Sequence, residues 1–165
     1  MGSTLNKIRD SYGDKVRIAH LNFPLGFHEH AHLAAQAGVY AHKNGKFWEF
    51  HDKLFQNIDS INRETIERVT GEVGLDVADL KKALDGKLYA EIVDAHTKLG
   101  TAAGVSGTPA VFINGRVLEG AKPYEEFKTR VDKALAKAEE LLAKGAPKKG
   151  FYAHLMKLTK AGEIP

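Results

Sequence analysis

Residues with chemistry to offer fall in three places. His28-Glu29-His30-Ala31-His32 sets three imidazoles and a carboxylate within five residues, donor types that suit zinc or nickel. On a helix, positions two apart point about 200° from one another, so His28, His30 and His32 cannot converge on one ion there. A metal would need an extended backbone, or ligands from elsewhere such as His51 or His96. The expectation is therefore no metal and a solvated helix start. Glu49, His51 and Asp52 form the second place, with the groups of general acid–base catalysis. They lie beside Trp48 and Phe50, which reads as the polar face of an aromatic helix. The third place is the stretch from Gly104 to Arg116. Two glycines and Pro109 precede a short apolar run, and Asn114-Gly115 reads as a two-residue hairpin turn. Pro109 pushes Thr108 toward an extended backbone. A cis bond at that point would hold Gly107-Thr108 as an exposed, unpaired edge able to receive an extended peptide. An ordinary loop, strand and turn is the other reading of the same residues.

Other chemistries are absent from the pattern. No Ser-His-Asp constellation can be picked out by spacing and no phosphate loop occurs. Gly100, Gly104 and Gly107 are spaced too widely for a dinucleotide fingerprint, and they follow a helix where that fingerprint follows a strand. The chain has no cysteine, so it offers no disulfide, no thiolate metal site and no thiol nucleophile of its own.

With 165 residues, 43% of them hydrophobic and 27% charged, the chain has the size and composition of one globular domain. A net charge of +3, from 24 basic and 21 acidic residues, is too balanced to point to nucleic acid. The basic residues read as spread along solvated helix faces. No run reaches the roughly 18 apolar residues of a membrane span, and no signal-peptide core stands at the start.

The elements that must position these groups can be read in order. Met1-Gly2-Ser3 reads as an arbitrary start, and Thr4 to Ser11 as a short helix. Lys15 to Leu21 alternates and predicts a strand with one buried face, broken by Asn22-Phe23-Pro24-Leu25-Gly26. A helix from about Glu29 carries the small-residue stripe Ala31, Ala34, Ala35 and Val39. Phe47, Trp48, Phe50, Leu54 and Phe55 predict an aromatic helix that anchors the core. Asn62 caps a helix with Ile66 and Val69 on its apolar side. Gly74-Leu75-Asp76 ends that helix and starts another, and a longer helix runs from about Leu88 to Ala103. After the hairpin, Pro123 opens a helix to about Lys144 with Phe127, Val131 and Leu135 at helical spacing. Ala146 to Gly150 is a break, and Phe151 to Pro165 reads as a last amphipathic turn or helix. The order is strand, inserted helices, hairpin and closing helix: a mixed α/β domain.

At this point the ordered motifs resemble the DsbA-like branch of the thioredoxin superfamily. Lys15 to Leu21 with Asn22-Phe23-Pro24-Leu25 and His28 is similar to that family's strand, turn and insertion start. Phe47 to Phe55 resembles its aromatic insertion helix, Gly104 to Gly115 its cis-proline loop and hairpin, and Gly120-Ala121-Lys122-Pro123 with Phe127 the start of its last helix. The resemblance covers about residues 4 to 142. It implies a thioredoxin-like α/β domain over 4–145, with a helical insertion over about 29–103 and a C-terminal extension over 146–165. It further implies protein thiol–disulfide oxidoreduction in an extracytoplasmic or periplasmic setting, with no cofactor. The substrate-binding residues it implies are Val105, Gly107, Thr108 and Pro109.

The departure from the family pattern is the absence of the first strand and of Cys-x-x-Cys at the start of the first helix. In the family that thiolate forms a mixed disulfide while the cis-proline loop aligns the substrate backbone. The resemblance thus implies a piece of an oxidoreductase that is itself redox-inactive, or a non-catalytic peptide-binding or oligomerisation module. A glutathione-dependent isomerase of the kappa transferase type, which carries a serine at that helix start, is a related alternative. The absent strand is central in such a sheet, so a further expectation is that a second copy, strand exchange or a rebuilt sheet fills the gap, a homo-oligomer completing the sheet being the one favoured.

Overall fold

The computed structural model describes residues 2–160. The chain divides into two compact units: His20–Gly107, and the residues up to Ala19 together with those from Thr108 onward.

The His20–Gly107 unit is helical. It contains α2 (Ala31–Lys43), α3 (Phe47–Phe55), α4 (Arg63–Glu72), α5 (Val77–Asp85) and α6 (Ala90–Ala102), while α1 (Gly2–Tyr12) belongs to the other unit. Helix α2 packs on each of the other four. Its run from Gln36 to Ala41 is buried, because Ala37, Gly38 and Ala41 are small enough to admit close neighbours. Phe50, Leu54, Ile66, Val69, Leu80 and Val93 complete the core. Both caps expected from sequence form: Asn62 Oδ1 accepts the Thr65 N–H at 2.8 Å, and Asp76 Oδ1 accepts the Asp79 N–H at 3.0 Å.

The aromatic helix is buried less fully than its composition suggests. Phe50 is 1% exposed, whereas Phe55 is 54% exposed. Phe47, Phe50 and Leu54 lie within one narrow arc of α3, and Trp48 and Phe55 lie about 100° further round. Only the first arc meets the core directly.

The other unit holds α1 (Gly2–Tyr12), the hairpin β1 (Ala110–Ile113) and β2 (Arg116–Glu119), α7 (Tyr124–Ala143) and α8 (Phe151–Lys160). The strands pair antiparallel with Val111 opposite Leu118 and Ile113 opposite Arg116. Asn114 (φ 47°) and Gly115 (φ 85°) make the turn, the two left-handed residues that match strand twist in a two-residue loop. Leu118, Phe127, Val131 and Ile8 form the core, with Val16, Val111 and Ile113 packed against it. Helices α1 and α7 are joined by polar contacts. The Tyr12 hydroxyl donates to Asp132, which within α7 also pairs with Lys128 at 2.7 Å, and Ser11 Oγ meets the Tyr124 hydroxyl at 3.0 Å. Partial burial and the bond to Asp132 push the Tyr12 phenol up to about 12.

The expected strand at Lys15–Leu21 does not form. Lys15 ends a short 3₁₀ turn from Gly13, and the next residues have no regular structure. The alternation itself is real, since Val16 and Ile18 are half-buried while Arg17 and Ala19 are exposed. Val16 is also extended, at φ −126° and ψ 131°. A strand needs a hydrogen-bonded neighbour as well as a buried face, and among the described residues only β1 and β2 pair. Segment 146–165 is helical from Phe151 to Lys160, and its last five residues lie outside the described residues.

Candidate functional site

The loop from Val105 to Pro109 is held at both ends. Upstream, α6 closes in a Schellman motif: Val105 N–H donates to the Gly100 carbonyl at 2.9 Å, and Gly104 N–H donates to Thr101 at 3.0 Å. Gly104 stands at φ +84°, a conformation that a Cβ disfavours. Downstream, the Pro109 carbonyl accepts the Gly120 N–H at 2.9 Å, which extends the hairpin ladder by one bond. The Thr108–Pro109 peptide bond is cis.

Between these anchors the chain is open. Val105, Gly107 and Pro109 are half-buried, and Thr108 is exposed. Neither Gly107 nor Thr108 makes a backbone–backbone hydrogen bond among the described residues, and β1 pairs on one side only. Val105 and Gly107 are the last residues of the helical unit, while Thr108 and Pro109 open the hairpin unit. Only Gly107 and Thr108 thus keep main-chain donors and acceptors that no described backbone group uses. Such an edge can bind an extended polypeptide through main-chain hydrogen bonds.

The histidines are distributed differently from their spacing in sequence. The His28 ring lies 4.4 Å from that of Phe27. His32 contacts Asp94 at 3.0 Å through Nε2, and Gln36 at 3.2 Å through Nδ1. The structure thus gives these two separate partners. Among the described residues no group of three or more His, Asp or Glu side chains gathers around a common point. Glu49 pairs with Lys46 at 3.2 Å, while His51 Nδ1 meets Asp52 at 2.9 Å, so the three groups of α3 do not act together.

A cluster that spacing did not reveal surrounds His20. Its ring lies 4.9 Å from Phe47 and 5.4 Å from His51. Asn22, which is buried, meets His96 Nδ1 through both its backbone N–H (3.4 Å) and its side-chain amide (3.3 Å). His20 keeps surface exposure as a residue. Desolvation of its ring, and then the neighbouring His51, nevertheless push its imidazole down to about 4. No periodicity connects residues 74 positions apart, so the spacing of these residues carries no trace of the group. A shallow groove of about 520 Å³, lined by Tyr40, Lys43, Lys82 and Tyr89, lies on the helical unit; none of the loop residues contributes to it.

Comparison with known proteins decides the family. The model of the DSBA-like thioredoxin domain matches residues 4–147. The chain belongs to this family. The DsbA-like domain is 25% identical over 138 residues to disulfide bond formation protein D of Bacillus subtilis, covering 78% of this chain and 62% of that protein. It is 32% identical over 114 residues to a Na(+)/H(+) antiporter NhaA of Herminiimonas arsenicoxydans, covering 69% of this chain and 18% of the antiporter. A second antiporter, NhaA 3 of Salinispora tropica, is 31% identical over 124 residues, which is 19% of its length. The chain therefore spans less than two thirds of each of these relatives. The expected DsbA-like α/β class holds, realised in the described residues as helices with one two-stranded sheet. The DsbA-like domain here contains no cysteine.

Proposed function

We propose that this chain is the polypeptide-holding part of a protein thiol–disulfide oxidoreductase of DsbA type, working outside the cytoplasm and without thiol chemistry of its own. The observation that carries the reading is the loop. Thr108 is exposed with its backbone unpaired, between a capped helix end and the free edge of β1. Val105 and Gly107 set the approach to that edge, and Thr108 and Pro109 present it. The relation to disulfide bond formation protein D and the absence of cysteine together divide the labour: this chain orients the substrate backbone, and a thiol supplied by another polypeptide segment exchanges.

The test is a titration of the ¹⁵N-labelled chain with an unfolded, carboxymethylated polypeptide. Amide shifts confined to about residues 105–113 are expected, together with a blank insulin-reduction assay. Shifts elsewhere with none in the loop overturn the reading.

A second reading, a non-catalytic oligomerisation module, is favoured by one further observation. The Arg17–Ala19 backbone makes no main-chain hydrogen bond among the described residues and the outer edge of β1 is unpaired, yet Val16, Val111 and Ile113 pack on the same core. A strand from a second copy would satisfy both edges. Sedimentation equilibrium at micromolar concentration should then show a dimer. A monomer showing slow amide exchange at Ala110–Ile113 would remove this reading and leave the peptide-holding one intact.

A further inference from the structure

Charge is divided unequally between the two units. The helical unit, His20–Gly107, holds 9 Lys and Arg against 12 Asp and Glu; the remaining residues hold 15 against 9. The excess is densest at the end of the described chain. From Lys144 to Lys160 there are five lysines, no arginine and no acidic residue. Lys144 pairs with Glu140 at 2.6 Å. Lys148, Lys149, Lys157 and Lys160 are exposed and make no ion pair among the described residues. None of the four has an acidic partner among the described residues, whereas Lys128 and Lys137 of α7 do.

Helix α8 fixes how these charges are presented. Its apolar side is already used within its own unit: Leu155 is 3% exposed, and Met156 and Thr159 occupy the space beside the hairpin turn. There, a side chain on Gly115 would meet Thr159 Cγ2 at 3.2 Å and Met156 Sδ at 3.4 Å. Ala153, Lys157 and Lys160 lie about 140–160° round the helix from Leu155 and are exposed, as is Tyr152 at the border of the apolar side, and Lys148 and Lys149 stand in the turn before it. The helix is therefore docked by its apolar face and offers a basic one. This segment lies beyond residues 4–147, the part shared with the family.

We propose that this face binds the surface of an anionic phospholipid bilayer. Lysine carries a compact, hydrated point charge and suits diffuse attraction to many headgroups; the absence of arginine argues against bidentate recognition of particular phosphates or carboxylates. Tyr152, 64% exposed among the lysines, is a residue type that settles at headgroup depth. Clusters of four or more lysines on an amphipathic helix gain roughly a factor of five each from a negatively charged leaflet. Four lysines together predict a partition coefficient several-hundred-fold higher on anionic than on neutral membrane. The surface does not depend on the peptide-holding loop, so the two readings stand or fall separately.

The experiment is co-sedimentation of the whole chain with vesicles of phosphatidylcholine alone, or with about a third phosphatidylglycerol, at low and high salt. Binding is expected only to the anionic vesicles and only at low salt. The combined variant Lys148→Gln, Lys149→Gln, Lys157→Gln and Lys160→Gln should lose at least 100-fold in partitioning while keeping its far-ultraviolet circular dichroism. A control set, Lys43→Gln, Lys81→Gln, Lys82→Gln and Lys98→Gln on the helical unit, should bind like the parent. Equal loss in the two sets, equal binding to neutral vesicles, or no binding at low salt overturns the proposal. So does tighter binding to a polyanion such as heparin than to the vesicles, which would assign the face to a different partner.

Discussion

Helices α2, α4, α5 and α6 all end in the same hydrogen-bonded motif, with glycine at its critical position in three and Lys87 in α5, and α5 and α6 permit a matched test. At the end of α6, Gly104 is left-handed at φ +84°, with Val105 N–H to Gly100 at 2.9 Å and Gly104 N–H to Thr101 at 3.0 Å. At the end of α5, Lys87 takes the equivalent place at φ 51°. There Leu88 N–H donates to Ala83 at 2.9 Å and Lys87 N–H to Leu84 at 3.1 Å. Gly86, one residue too early to relieve this, sits at an ordinary φ of −79°. A left-handed conformation costs a residue with a Cβ about 1–2 kcal/mol. Glycine in the unfolded chain gives back about 0.4–1 kcal/mol of that advantage. Gly104→Ala should therefore lose about 1 kcal/mol, and Lys87→Gly should gain about 0.5–1 kcal/mol by the same argument with the sign reversed. No atom lies within 4 Å of a Cβ built on Gly104, so the loss is torsional and includes no clash.

The assay is urea unfolding followed by circular dichroism, with thermal melts as a second readout. For a chain of this size each kcal/mol moves Tm by about 2–4 °C, so the two variants should separate by roughly 3–8 °C, with unchanged m-values. Gly107→Ala is the internal control: its φ is not left-handed and a Cβ there meets nothing within 4 Å, so a change below about 0.5 kcal/mol is expected. If Gly104→Ala matches the parent, or Lys87→Gly is the less stable protein, the conformational reasoning fails.

Two further outcomes follow from individual groups. His20, pushed down to about 4 from its ordinary 6.5, binds fewer protons folded than unfolded between those values. Its contribution is complete above about pH 6.5 and is lost as the pH falls toward 4. Urea midpoints measured from pH 7 to 4.5 should fall more steeply for the parent than for His20→Gln; identical slopes would remove the role given to burial beside Phe47 and His51. Asn62→Ala deletes the acceptor of the Thr65 N–H and should cost about 1 kcal/mol, whereas Asn62→Asp should stay within a few tenths of the parent in the same urea titration.

What the sequence made legible was local. Asn62 and Asp76 cap because an Asx side chain reaches a backbone N–H three residues on. Asn114-Gly115 turns because both residues tolerate positive φ. Ile66 and Val69 face the core through helical periodicity alone. What was not legible depends on partners distant in the chain. The contact of Tyr12 with Asp132 spans 120 residues, and that of Asn22 with His96 spans 74; neither leaves a periodic trace. The Lys15–Leu21 segment shows the limit most sharply. Its alternation correctly marks Val16 and Ile18 as the covered side, yet covering a face and pairing an edge are separate conditions, and only the first is written in the residues themselves. The same distinction governs the loop proposed to hold a polypeptide. Gly104 and Pro109 specify where the chain turns and which backbone stays open at Gly107 and Thr108. On the proposed reading the site consists of hydrogen-bonding groups the fold leaves unused, which by themselves do not distinguish one extended partner strand from another.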